Sequence, residues 1–140
     1  MASLIYNSFK VKIMNGSIDL DTDTIKVALV TASYTADQDA HDFFDDVTNE
    51  ISGTGYTAGG ATLSGVTITQ DNTNNLAYLD ATDTSWTISS LTARGAVIYK
   101  STGTPSTSPL VAYIDFSSDK SSASSTFTIQ WSASGILQLA

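Results

Sequence analysis

Cysteine is absent from the 140-residue chain. That excludes disulfides and thiolate metal sites, and it frees the fold from the redox state of its compartment. Histidine occurs once, at His41, so any His-dependent mechanism must pass through that ring. A catalytic metal centre normally recruits two or three imidazoles or thiolates, more than this chain offers. Basic residues are also scarce, with Lys and Arg numbering 6 against 14 Asp and Glu for a net charge of -8. The six cations are scattered, which argues against a nucleic-acid partner, because phosphate contacts need clustered Lys and Arg. No stretch approaches the ~18–20 apolar residues of a membrane span. The opening segment, residues 1–16, has neither a long apolar run nor a processing-site pattern. We therefore expect no export signal, synthesis in the cytoplasm and no membrane partner.

What remains is apolar and hydroxyl-rich. Hydrophobic residues make up 41% of the chain, an ordinary globular share, whereas charged residues reach only 14% against roughly 25% in typical soluble domains. Ser and Thr fill the difference with 40 positions. The length fits one domain spanning residues 1–140, large enough to bury a core without metal or disulfide.

The hydrophobic pattern is mostly that of short strands. Residues 1–16 carry the one helix-like pattern, with Leu4, Ile5, Phe9, Ile13 and Met14 near helical spacing and Asn15-Gly16 as a stop. Residues 25–31, Ile-Lys-Val-Ala-Leu-Val-Thr, read as a central strand. Residues 32–61 read as a long irregular loop, acidic at first and Gly-rich at its end, with a helical turn near His41–Val47. From residue 62 onward the pattern is β. Leu63, Val66 and Ile68 are expected on one strand, with further strands at Leu76–Ala81; around Trp86 and Ile88; at Ala93–Lys100; at Leu110–Phe116, with Leu110, Ala112, Ile114 and Phe116 on one side; and at Thr126–Trp131. Residues 117–125 read as a Ser-rich loop. This spacing predicts an all-β, mainly antiparallel fold, a β-sandwich or jelly-roll-like arrangement with a short N-terminal helix.

Three constellations could carry chemistry. Asp19, Asp21 and Asp23 alternate as a calcium loop begins, but the template then needs Gly and Glu where Thr24 and Val30 stand. A polar turn with Asp side chains bonded to nearby backbone is the simpler reading. The cluster Asp37, Asp39, His41, Asp42, Asp45 and Asp46 contains the only imidazole, but no serine stands in a Gly-x-Ser-x-Gly elbow to complete a triad. The loop Gly53–Gly60 lacks the neighbouring Lys of a phosphate cradle and precedes a strand rather than a helix. No catalytic residue, metal ligand or cofactor is expected, and the chain is not expected to be an enzyme.

Four stretches carry a family resemblance. They are residues 18–31 (Ile-Asp-Leu-Asp-Thr-Asp-Thr-Ile-Lys-Val-Ala-Leu-Val-Thr), residues 50–63 (Glu-Ile-Ser-Gly-Thr-Gly-Tyr-Thr-Ala-Gly-Gly-Ala-Thr-Leu), residues 93–99 (Ala-Arg-Gly-Ala-Val-Ile-Tyr) and residues 110–116 (Leu-Val-Ala-Tyr-Ile-Asp-Phe). Together with Met14-Asn15-Gly16 they resemble a family of small tailed-bacteriophage virion structural proteins. The resemblance implies a virion component, with a capsid decoration or cement protein on the outer capsid surface as the favoured role. It also implies the major capsid protein as partner and self-association, with a homotrimer expected at a symmetry axis. A tail- or fibre-associated protein is the alternative within the virion, and a carbohydrate-binding module the alternative of another class. Residues 32–61 and the N-terminal segment are the expected contact regions. Tyr34, Phe43, Phe44 and Tyr56 are the candidate interface residues, since apolar rings on irregular backbone call for a cover.

Overall fold

The run Ile25–Val30 has no polar face to offer to water, and the computed structural model, which describes residues 1–140, gives it none. In chain order the elements are β1 (Leu4–Ile5), α1 (Asn7–Met14), β2 (Ile25–Val30), β3 (Ala61–Thr62), β4 (Thr67–Asp71), β5 (Leu76–Asp80), β6 (Thr84–Ser89), β7 (Thr92–Lys100), β8 (Leu110–Ser121), β9 (Ser125–Ile129) and β10 (Leu137–Leu139). Single 3-10 turns lie at Phe44–Asp46 and Pro105–Thr107. The strands form a five-stranded sheet in the order β1-β8-β7-β2-β3, a three-stranded sheet β10-β5-β4, and a β6-β9 pair. Every pairing is antiparallel. The fold is thus all-β and sandwich-like, with one short N-terminal helix.

Strands β2 and β7 and the first part of β8 form the middle layer and are buried on both faces. One face sends Val27, Leu29, Ile98 and Val111 into a cluster with Phe9 of α1, Leu79 of β5, Trp86 of β6 and Phe127 of β9. The other face sends Ala28, Val30, Val97 and Tyr99 into a second cluster with Tyr6 and Tyr34. The alternation along these strands is therefore between two cores rather than between core and solvent. Ala36, Phe44 and Val47 close the second core, so the irregular segment after β2 serves as the third layer.

Helix α1 buries Phe9 and leaves Val11 and Met14 exposed. It stops at Gly16, whose φ of +78° suits glycine, while the Ser17 amide donates back to the Lys12 carbonyl at 2.9 Å, the usual closing bond of a helix C-terminus. Leu4 and Ile5 do not join the helix. They pair with Tyr113 and Ala112 along the edge of β8.

Three expectations are corrected. Leu63, Val66 and Ile68 do not share a strand. The chain leaves the five-stranded sheet after Thr62, turns at Gly65 (φ +61°), and enters the three-stranded sheet at Thr67. Leu110 and Ala112 do not share a face: Tyr99 pairs with Leu110 but Ile98 with Ala112, so the extra residue Val111 shifts the pleat. Leu110 then enters the second core while Ala112 enters the first. Finally, the Ser-rich stretch is not all loop. After Asp115 pairs with Gly95, the chain bulges through residues 116–119, with Ser117 at φ +68°, and re-pairs Lys120 and Ser121 with Ala93 and Thr92. Hydroxyl pairs brace this end, Thr92 with Ser121 and Ser85 with Thr128, each at 2.9 Å. A register shift in β6 likewise buries Trp86 while turning Ile88 to solvent.

Gly60 lies against β2 at φ +80°, where a Cβ would collide with the Val27 carbonyl. Gly60→Ala is expected to cost about 2–3 kcal/mol, the upper part of the ordinary range for one substitution. Urea and thermal melts of the purified variant check this, and an unchanged midpoint would show that the close approach is not needed.

Candidate interaction surfaces

The irregular segment spends most of its polar chemistry on its own fold. Tyr34 is 2% exposed; its hydroxyl meets that of Tyr6 at 2.8 Å and His41 Nδ1 at 3.0 Å. The Asp37 amide also points at His41 Nδ1, at 3.2 Å. Since an amide can only donate, Nδ1 is an acceptor, and a neutral ring carries its proton on Nε2. Tyr34 then donates to His41, and Tyr6 donates to Tyr34. Burial raises both tyrosines above the ordinary phenol value. The only histidine is thus an acceptor that ends a buried hydroxyl chain.

Two acids of the cluster, Asp37 and Asp46, cap backbone. Asp37 accepts from the amides of Asp39 and Ala40, each at 3.0 Å. Asp46 accepts from the amides of Asp42 at 2.8 Å and Phe43 at 3.2 Å. Asp39 takes a bond from the Asn7 side chain at 2.6 Å, and Gln38 Nε2 donates to the Ile5 carbonyl at 2.7 Å. The segment is so laced to the start of α1 and to β1.

The four predicted interface rings have different fates. Tyr34 is interior, which corrects its assignment as a contact residue: the cover it needed comes from its own chain. Phe44 stacks on Tyr99 with centroids 4.1 Å apart. Phe43 lies under the Lys12 ammonium, 4.8 Å from its ring centroid, a cation–π contact. Tyr56 donates to Glu50 Oε2 at 2.6 Å and accepts from the Leu29 amide at 3.0 Å. Glu50 Oε2 also accepts from the Gly59 amide at 2.7 Å, and the Tyr99 hydroxyl donates to the Gly59 carbonyl at 2.6 Å. The Gly-rich stretch is therefore a clasp closed over β2. Phe43, Phe44 and Tyr56 are partly buried, so each keeps only a minor share of its surface.

The Asp19–Asp23 stretch is a turn. The Asp19 amide donates to Asp23 Oδ2 at 2.8 Å, and Asp23 pairs with Lys100 at 3.0 Å. Asp19 and Asp21 are neighbours whose interaction raises the Asp21 carboxyl and lowers that of Asp19. No group of three or more His, Asp or Glu side chains is placed to hold a metal ion.

Two open clefts remain. One, of about 780 Å³, lies between the outer half of β8 and β9, with Phe116, Lys120 and Trp131 in its wall. The indole N–H of Trp131 is buried without a partner. The other, of about 680 Å³, separates α1 from the three-stranded sheet and is largely apolar. Trp86, Tyr99 and Tyr113 are buried and offer no exposed platform for a sugar ring.

Comparison with protein-family models, with curated proteins and with solved structures finds no match. The clefts and the segment over β2 must therefore be read on their own chemistry. Sequence reasoning missed both clefts, because each is assembled from stretches far apart in the chain.

Two measurements test the segment. Tyr56→Phe leaves the Leu29 amide without its acceptor, and is expected to cost about 1–3 kcal/mol in a chemical melt; a neutral result would mean that the amide finds another partner. Hydrogen bonding, first from the Asp42 amide, holds the Asp46 carboxyl below the ordinary carboxylate value. A folded value below the unfolded one, ~3.9, means that this carboxylate stabilises the fold above the unfolded value and loses its contribution as pH falls through the folded value. Asp46→Asn should lower the urea midpoint near neutral pH and reduce its fall on acidification. An acid limb of unchanged steepness would contradict that assignment.

Proposed function

We propose that the chain is a non-catalytic structural component of a tailed-bacteriophage virion, a decoration or cement protein that binds the outer capsid surface. Its partners in this reading are the major capsid protein and further copies of itself, as a homotrimer. The observation that supports it most is where the four family-resembling stretches lie. Residues 18–31, 50–63, 93–99 and 110–116 are distant in sequence but contribute β2, the clasp and β3, β7 and the start of β8, four neighbouring strands of one sheet. The resemblance therefore follows the two-sided core and its clasp, as expected of chains related by architecture rather than by a shared catalytic residue. The charge-poor, hydroxyl-rich surface suits a protein that packs against other chains.

The experiment is particle binding. The purified protein is mixed with capsids lacking it, sedimented, and quantified against the major capsid protein; antibody labelling of intact particles locates it by microscopy. The reading expects saturation at a fixed ratio and label over the head. Label confined to tails, with none on tailless heads, would move the protein to the tail. A monomer that binds neither structure would overturn the virion role.

A further inference from the structure

The apolar groove between α1 and the three-stranded sheet is a failure of the sandwich to close. Pairing places Ile68 opposite Leu79 and Leu79 opposite Leu137, so the three side chains share one face of the sheet. Ile5, Phe9 and Ile13 form the opposite wall. Between them lies a space of about 680 Å³, within the roughly 300–1,000 Å³ of ordinary ligand pockets. The apolar surface continues beyond the groove. Met14 is 87% exposed, Leu139 67% and Ile68 47%, and all three line it. A small molecule seated at the bottom would leave these wet; a length of polypeptide would cover them.

The lip of the groove is charged. Asp19 and Asp21 both border it. The ion pairs of the molecule are Arg94 with Asp115 and Lys100 with Asp23, so neither lip carboxylate has a basic partner. Lys10 also stands on the lip; the Asn7 side-chain oxygen at 2.9 Å is a neutral partner and leaves its charge in place, so the lip is acidic on balance, two carboxylates against one ammonium. The two carboxylates outweigh that single ammonium, so the lip repels an anionic occupant and attracts a cation. The balance also weighs against a second copy, which would bring the same acidic lip, Lys10 included, and another net charge of -8.

We propose that this groove docks an apolar segment of a different protein, one that sets a Lys or Arg against Asp19 and Asp21. Apolar side chains of that segment fill the wedge over Leu79 and Phe9, Met14 and Leu139 close over it, and the basic group neutralises the lip. The groove's occupant is defined here by chemistry and not by the virion assignment, so the test needs no particles, and its failure leaves capsid binding to be judged separately.

The probes are two fluorescently labelled amphipathic model peptides of the same apolar pattern, one of Leu and Lys, the other of Leu and Glu. Anisotropy titrations are run on the full chain and on three variants. These are Asp19→Asn with Asp21→Asn; Ile68→Asp with Leu139→Asp; and Asp45→Asn with Asp119→Asn, the last neutralising exposed acids outside the groove. The Lys peptide is expected to bind at least about tenfold tighter than the Glu peptide, a difference of about 1.4 kcal/mol. Neutralising the lip should remove that preference, the Asp45/Asp119 control should keep it, and the Ile68/Leu139 variant should lose binding of both peptides. Circular dichroism melts verify that each variant is folded. Equal binding of the two peptides, or an equal loss in the control, would overturn the proposal by showing only general attraction to an acidic protein. Sedimentation showing self-association that Leu139→Asp abolishes would overturn it in favour of a second copy.

Discussion

The fold depends on a sheet whose central strands have no solvent face. Val27 and Leu29 enter one core, Ala28 and Val30 the other, and all four are fully buried. A sheet of that kind needs cover on both sides. The smaller sheets and α1 provide it on one side. On the other the chain has no further strand to offer, so residues 32–47 do the work with irregular backbone. Irregular backbone over a core carries amides and carbonyls that must find partners. This accounts for the composition of that segment. Asp37, Asp46 and Glu50 are acceptors for amides that no ladder satisfies, and Tyr6, Tyr34 and His41 form the one polar chain crossing the second core.

The same requirement explains what could be read from sequence. The run 25–30, the long strand ending at Lys100, the helix before Asn15-Gly16 and the irregular stretch each carry a local signal: a short apolar run rich in β-branched residues, a stop, or the lack of any period. The Asp19–Asp23 turn was legible too, because its carboxylates serve backbone within a few residues. The failures are non-local. The run Leu63-Ser-Gly-Val66 shows no sign that the chain changes sheets within it. The serines after Phe116 read as loop because their pairing is set by Thr92 and Ala93 across a bulge, not by their own pattern. Leu110 and Ala112 part company because one extra residue was inserted opposite Tyr99. The aromatic rings of residues 34–56 were legible as groups in need of cover. That Tyr34 is covered by a tyrosine 28 residues earlier was not.

The exposed apolar side chains show why contiguity matters more than exposure. Single exposed hydrophobic residues are ordinary on protein surfaces. Val11 and Ile88 are of that kind here: each is well exposed, and neither borders the groove. Met14, Ile68 and Leu139 differ. They come from the end of the helix, an edge strand and the last strand, yet converge on one wedge whose floor is Leu79 and Phe9. No local pattern selects such a convergence. It follows from the chain's exit from the central sheet after Thr62, which carries β4 and β5 away from the layer that α1 packs against. The helix stays with β8 while the small sheet pairs with the C-terminal strand, and the two diverge. The unclosed wedge is thus built by the same topology that covers the central sheet, and its acidic lip is built by the turn that leads into β2.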